Sequence, residues 1–167
     1  GLGAFSVQWL RGGVAISGAN GSSYTLGDAD VGALISVRVD YVDGQGTAES
    51  LTSAAAGPVA NVNDTPAGLP TITGTPTEDQ TLTVDTSAIT DADGLGGFSL
   101  QWLRDGVAIS GATGNTLLLA QGQVGKAVTV IARYTDGQGT AESKTSSATA
   151  TVLNVDDEAT GTLNVTG

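Results

Sequence analysis

The most regular stretches of the chain alternate apolar and polar positions. Phe98, Leu100 and Trp102 alternate with Ser99, Gln101 and Leu103, and Val128, Val130, Ala132 and Tyr134 alternate with Thr129, Ile131 and Arg133. A period of two sends successive side chains to opposite faces, so each run predicts a strand with one face buried. Leu103 and Ile131 interrupt the polar face and are expected to meet a loop or a second surface. Leu117, Leu118 and Leu119 predict a shorter apolar strand, Leu82 and Val84 an early one, and Ala148, Ala150 and Val152 a late one. No helix of useful length is predicted; Leu119–Val124 is at most one turn.

Turn-forming residues punctuate these runs at Asp105-Gly106, Ala112–Gly114 and Asp136–Gly139. Asp105-Gly106, lying between QWLR and VAIS, predicts a two-residue hairpin turn. About seven short strands in a stretch of this size predict a two-sheet sandwich.

The same pattern occurs twice. Residues 1–74 align without a gap on residues 94–167, an offset of 93, with 40 identities in 74 pairs. QWLRGGVAISGA at Gln8 matches QWLRDGVAISGA at Gln101, YVDGQGTAES at Tyr41 matches YTDGQGTAES at Tyr134, and ANVNDTP at Ala60 matches LNVDDEA at Leu153. The hairpin pair becomes Gly12-Gly13, which still permits positive φ. A unit of this length exceeds a solenoid repeat and suits a small independent domain. The expected organisation is a truncated repeat over 1–60, a linker over 61–70, a complete repeat over 71–153, and a linker with the start of a further unit over 154–167. Asn164–Gly167 matches Thr71–Gly74, the opening of that further unit. The first copy lacks the counterpart of the early strand, which predicts an open edge or a strand supplied by a neighbouring chain, in a strand-swapped oligomer.

Composition narrows the chemistry. The 167 residues include no Cys, Met or His, so thiol nucleophiles, disulfides, imidazole bases and soft-metal sites are out. Lys and Arg number 6 against 17 Asp and Glu, a net charge of −11, which argues against nucleic acid and anionic membranes as partners. No apolar run is long enough to span a bilayer. A hard-cation site built from Asp, Glu and Asn oxygens remains open. Ser and Thr abound without a His base or an evident Lys substitute, and no carboxylate pair lies in the apolar context that would raise one pKa, so no enzyme is expected. The alanine, threonine and glycine content implies a thin core anchored by Trp9 and Trp102. Tyr41 and Tyr134 are expected with the ring buried and the hydroxyl paired. An exposed aromatic platform for sugars is the rival reading of these rings.

The strings FSLQWLRDGVAISGATGNTLLL and QVGKAVTVIARYTDGQGTAES resemble the Ig-like repeats of very large bacterial surface proteins, and Asn61-Val62-Asn63-Asp64-Thr65-Pro66 resembles the NDxP-type linker of bacterial cadherin-like repeats. Such repeats occur as calcium-stabilised extender modules in adhesins of the RTX type. No Gly-Gly-x-Gly-x-Asp array is present in the chain. The resemblance implies an all-β fold of tandem Ig-like β-sandwich domains, with Trp102 on the third strand between the sheets. It also implies a bacterial cell-surface location, with neighbouring repeats of the same chain as partners.

The topology implied by the resemblance places the acids. One junction would gather Asn61, Asn63 and Asp64 of the linker, Asp28 and Asp30 of the first unit, and Asp91, Asp93 and Asp136 of the second. A further junction would use Glu78, Asp79, Asn154, Asp156 and Asp157. Gln121 and Gln123 stand in the second unit where the first has Asp28 and Asp30. Ca²⁺ takes six to eight oxygens, several from carboxylates whose mutual repulsion it relieves. The competing reading gives each Asp before Gly a capping job in its own turn. The expected function is therefore a structural extender rigidified by calcium at interdomain junctions. The alternative is a carbohydrate- or protein-binding Ig-like module.

Overall fold

A computed structural model describes residues 3–158. The Asn164–Gly167 match lies outside them. The described residues are all-β, with three antiparallel sheets and only single turns of 3-10 helix. The chain divides into two compact units, Gly1–Asn63 and Asp64–Gly167.

The second unit is a two-sheet sandwich. One sheet comprises β7 (Ser99–Arg104), β8 (Val107–Ala108), β10 (Val128–Thr135) and β11 (Ala141–Thr145), ordered β11-β10-β7-β8. The other comprises β5 (Thr71–Thr73), β6 (Thr81–Asp85) and β9 (Thr116–Leu118), ordered β5-β6-β9. Between them lies a core in which Trp102, Leu82, Leu119, Val128, Val130 and Ala132 are fully excluded from solvent. The strand periodicity gives this directly. Val128, Val130, Ala132 and Tyr134 all face inward, Leu117 and Leu119 face inward, and Leu118 between them faces out. Leu103 and Ile131, on the opposite face, are half-buried.

Polar side chains fix the frame. The Trp102 indole donates to the Gly114 carbonyl at 2.8 Å. The Gln101 amide donates to the carbonyls of Trp102 and Ile109, each at 2.8 Å, and so ties β7 to the strand that folds back on it. That fold-back is the expected two-residue turn. Asp105 and Gly106 both have positive φ (44° and 80°), which matches the right-handed twist of the strands they join. Asp105 accepts the Ala127 N–H at 2.9 Å and pairs with Lys126, which holds its carboxyl below the ordinary range, the Ala127 bond being the larger cause.

The expected late strand over Ala148–Val152 does not form. Its neighbours take their bonds from side chains instead: the Ser146 and Thr149 hydroxyls accept the Val130 and Val128 N–H groups at 3.0 Å. The segment runs beside β10 without a regular ladder, leaving Ala148 and Ala150 exposed and only Val152 buried. The regular partner of β10 on that edge is β11.

Among the described residues the first unit holds a single sheet: β1 (Ser6–Arg11), β2 (Val14–Ala15), β3 (Ile35–Val42) and β4 (Ala48–Thr52), ordered β2-β1-β3-β4. This is the strand order of the β8-β7-β10-β11 sheet. The β1–β3 register, with Trp9 opposite Val37, repeats that of Trp102 opposite Val130. Gly12 and Gly13 make the same turn with φ of 55° and 82°. Trp9 donates to the Gly21 carbonyl as Trp102 does to Gly114. Nothing among the described residues of this unit corresponds to β5 and β6, and residues 22–26, the counterpart of β9, form no strand. Trp9 is consequently only half-buried, and Leu10 and Ile35 are the buried large apolar residues of the unit.

Candidate functional site

The loops around the start of the second unit bring four of the expected acids together. Asp64 opens the unit. Asp91 and Asp93 lie in the loop between β6 and β7, and Asp136 begins the β10–β11 turn. Asp93 is the hub. Its Oδ2 accepts the Asp64 N–H at 2.7 Å, its own N–H donates to Asp91 Oδ1 at 3.0 Å, and its carbonyl accepts the Gly137 N–H at 3.0 Å. Nearby, Ala67 and Thr90 exchange both backbone bonds, which ties the stretch after Asp64 to the β6–β7 loop. Gly137 is required by closeness: a Cβ there would stand 2.6 Å from the Asp93 carbonyl oxygen.

The second carboxylate of the loop is held from inside. The Tyr134 hydroxyl donates to Asp91 Oδ2 at 2.6 Å, and the Tyr134 ring packs edge-on against Phe98 with centroids 5.2 Å apart. Burial, then the neighbouring Asp91 carboxylate, pushes the phenol well above its ordinary pKa, so it remains a donor throughout the physiological range. The expected buried ring with a paired hydroxyl is found here, and Asp91 is the partner that the sequence pattern did not reveal.

Asp136 closes its turn by accepting the N–H groups of Gln138 at 2.9 Å and Thr140 at 2.7 Å on Oδ1. Burial pushes its pKa up, but these N–H bonds outweigh it and leave the carboxyl below the ordinary range. The group is thus an anion at neutral pH although the residue is only 6% exposed.

Two oxygens of this cluster have no donor. Asp93 Oδ1 and Asp136 Oδ2 are buried and accept no hydrogen bond, and both residues are 6% exposed. A buried carboxylate oxygen without a partner is costly, and a cation is one way to relieve it. Asp136 thus caps its own turn through Oδ1, whereas Asp93 Oδ2 binds the N–H of Asp64, 29 residues away. Among the described residues, no group of three or more acidic side chains is placed to hold a metal ion.

The remaining expected ligands are elsewhere. Glu78, 3% exposed, accepts the Val155 N–H on Oε2 at 3.1 Å, while its backbone N–H donates to the Leu153 carbonyl. Asp79 sits at φ 63° and is exposed, as are Asn154, Asp156 and Asp157. Asn154 donates to the Val155 carbonyl and accepts from Gln121. This end of the second unit has one buried acid, occupied by a backbone donor.

In the first unit Asp28 is exposed and Asp30 is 1% exposed. Asp30 is fully engaged by its own unit: Oδ2 accepts the Gly27 N–H at 3.0 Å, Oδ1 accepts Arg11 Nε at 2.7 Å, and the Tyr24 hydroxyl donates to the same carboxylate. The Gly27 N–H is the main force holding its carboxyl low, against burial, with Arg11 and Tyr24 adding to it. Gln123 does the same job in the second unit, its Oε1 accepting the Ala120 N–H at 3.0 Å. Asn61 Oδ1 is buried without a donor, and Asn63 is exposed.

Neither family models nor curated protein sequences match this chain.

Proposed function

We propose that the chain is a structural extender module of a bacterial cell-surface adhesin of the RTX type, stiffened by calcium. The observation that carries the reading is the pair of buried, donor-free oxygens, Asp93 Oδ1 and Asp136 Oδ2, the Asp93 carboxylate also binding the Asp64 N–H. Asp93 and Asp136 would hold the ion, with Asp91 positioned by Tyr134 beside them. Bound there, calcium would supply charge neutralisation and hard-oxygen coordination. Asp64 is the first residue of the second unit, so an ion that immobilises its loop also stiffens the chain where one unit gives way to the next. Asp30 has no part in this proposal, because Arg11, Tyr24 and Gly27 already occupy it. The repeated sequence suits a shared mechanical task better than two distinct binding sites.

The test is a set of melting curves with excess calcium, with magnesium and with chelator. A ligand at 100 times its Kd stabilises the native state by about 2.7 kcal/mol. A calcium-specific rise in Tm that disappears in the Asp93→Asn/Asp136→Asn double variant is expected. Curves that overlay in all three conditions would refute the cation site.

A further inference from the structure

Of the six asparagines in the chain, Asn20 is the one followed by glycine; the others precede Val62, Asp64, Thr116, Val155 and Val165. Glycine has no Cβ to shield its backbone nitrogen, so that nitrogen can reach the carbonyl carbon of the preceding side chain. The first unit carries the pair in a bend after β2. Asn20 and Gly21 are both exposed there. The Asn20 amide makes no hydrogen bond, and the Gly21 N–H has no acceptor, among the described residues. Nucleophile and electrophile are therefore adjacent and both uncommitted.

The four Asp-Gly pairs of the chain are the contrasting case. Asp43 and Asp136 each accept two N–H groups of their own turns, Asp105 accepts the Ala127 N–H, and Asp93 accepts that of Asp64. Each of these carboxylates is pinned to a donor other than the glycine nitrogen that follows it. An ionised carboxylate is also a poorer electrophile than an amide. At the position of Asn20 the second unit has Thr113, exposed in the same bend before Gly114. That unit has a closed core, so exposure here belongs to the bend and not to the face of the sheet.

We infer that Asn20-Gly21 is a site of spontaneous backbone modification. The Gly21 nitrogen loses its proton to solvent base and bonds to Asn20 Cγ. The Cγ–Nδ2 bond breaks, and ammonia leaves with a proton taken back from solvent. Water then opens the cyclic imide at either carbonyl: opening at Cγ yields aspartate, and opening at the backbone carbonyl yields isoaspartate. The net change is amide plus water to carboxylate plus ammonium, with no oxidant or reductant. Both products add a negative charge, and isoaspartate also lengthens the backbone by a methylene. This span is anchored on both sides of Asn20 to Trp9. The Ala19 carbonyl accepts the Trp9 backbone N–H at 2.9 Å, and the Gly21 carbonyl accepts its indole N–H at 3.0 Å. The longer link does not fit both anchors, and the exposed indole bond is the one that gives way.

The test incubates the full 167-residue chain at mildly alkaline pH, folded and in urea, and follows deamidation by peptide mass mapping after chromatographic separation of the products. Modification at position 20 is expected at least about tenfold faster than at any other asparagine, since most of the others precede a β-branched residue that shields the nitrogen. The rate in the folded chain should lie within a few-fold of that in urea. Asn20→Thr should abolish the modification, and Thr113→Asn should create a second site ahead of Gly114. In the isoaspartate product the Trp9 indole N–H resonance should shift while that of Trp102 stays. Asn20→Asp, equivalent to the shorter product, should leave both in place. A folded chain modified about tenfold more slowly than the unfolded one overturns the inference. So does a position 20 no faster than the other asparagines, an unmodified Thr113→Asn variant, or an isoaspartate product whose Trp9 indole resonance is unmoved.

Discussion

The two units carry nearly the same sheet, yet only one of them has a closed core. Trp102 and Trp9 occupy the same register, opposite Val130 and Val37, and each indole donates to a carbonyl twelve residues on. Trp102 is fully buried beneath β6, whereas Trp9 is half-buried at the edge of a groove. The comparison separates two contributions that are usually inseparable. Local pairing, turn geometry and side-chain-to-backbone bonds are sufficient to set strand order and register. Burial of the face needs the second layer.

The sharpest way to break the comparison is to remove each tryptophan. Trp102→Ala is expected to cost about 3–5 kcal/mol, and Trp9→Ala less than about 2 kcal/mol, because Trp9 is only partly buried. Urea unfolding followed by circular dichroism checks both; equal losses would mean that the groove is closed in solution. Next in size is Tyr134→Phe. It removes the bond to Asp91 and leaves a carboxylate oxygen without its donor, at a cost of about 1–2 kcal/mol. Tyr41→Phe, at the equivalent position, should change stability by less than about 0.5 kcal/mol. The same urea series distinguishes the two.

The turns sharpen the comparison from the other side, since they are common to both units. Gly106→Ala and Gly13→Ala each force a Cβ into positive φ near 80° and should each destabilise by about 1 kcal/mol. Hydrogen exchange at Ile109 and Ile16, whose N–H groups bond back across the hairpins, reports each turn separately.

The smallest expected effect is a difference in acid sensitivity. Asp30 has a depressed native pKa, so its contribution to stability is complete above the ordinary aspartate value. It is lost as pH falls from about 4 through the native value. Asp30→Asn should flatten that part of the first unit's acid unfolding curve. Gln123, its uncharged counterpart, contributes no such slope in the second unit. Acid titration followed by amide NMR would resolve the two units, and parallel profiles in wild type and Asp30→Asn would contradict the assignment.

Much of the fold was legible because it rests on local pattern. Alternation at Val128–Tyr134 and Phe98–Trp102 identifies inward faces, and Asp105-Gly106 identifies its turn. The reading failed at Ala148–Val152 because alternation there coexists with Ser146 and Thr149, whose hydroxyls compete for the N–H groups of β10. The cluster at Asp64, Asp91, Asp93 and Asp136 was legible as a set of acids on loops. Which oxygen of each is occupied depends on backbone donors at Asp64, Gln138 and Thr140, and no spacing rule encodes that. Nor did the sequence distinguish Asp30 from these acids. Its burial against Arg11 and Tyr24 depends on contacts 19 and 6 residues away.

The exchange of Asp30 for Gln123 has a consequence beyond either unit. A carboxylate and an amide close the same 3-10 turn through the same backbone bond, with N–O distances of 3.0 Å in each. Charge at this position is therefore decoupled from shape. The exchange changes a unit's charge, and with it its electrostatic repulsion from like-charged surfaces in dilute salt, while the sheet keeps its register.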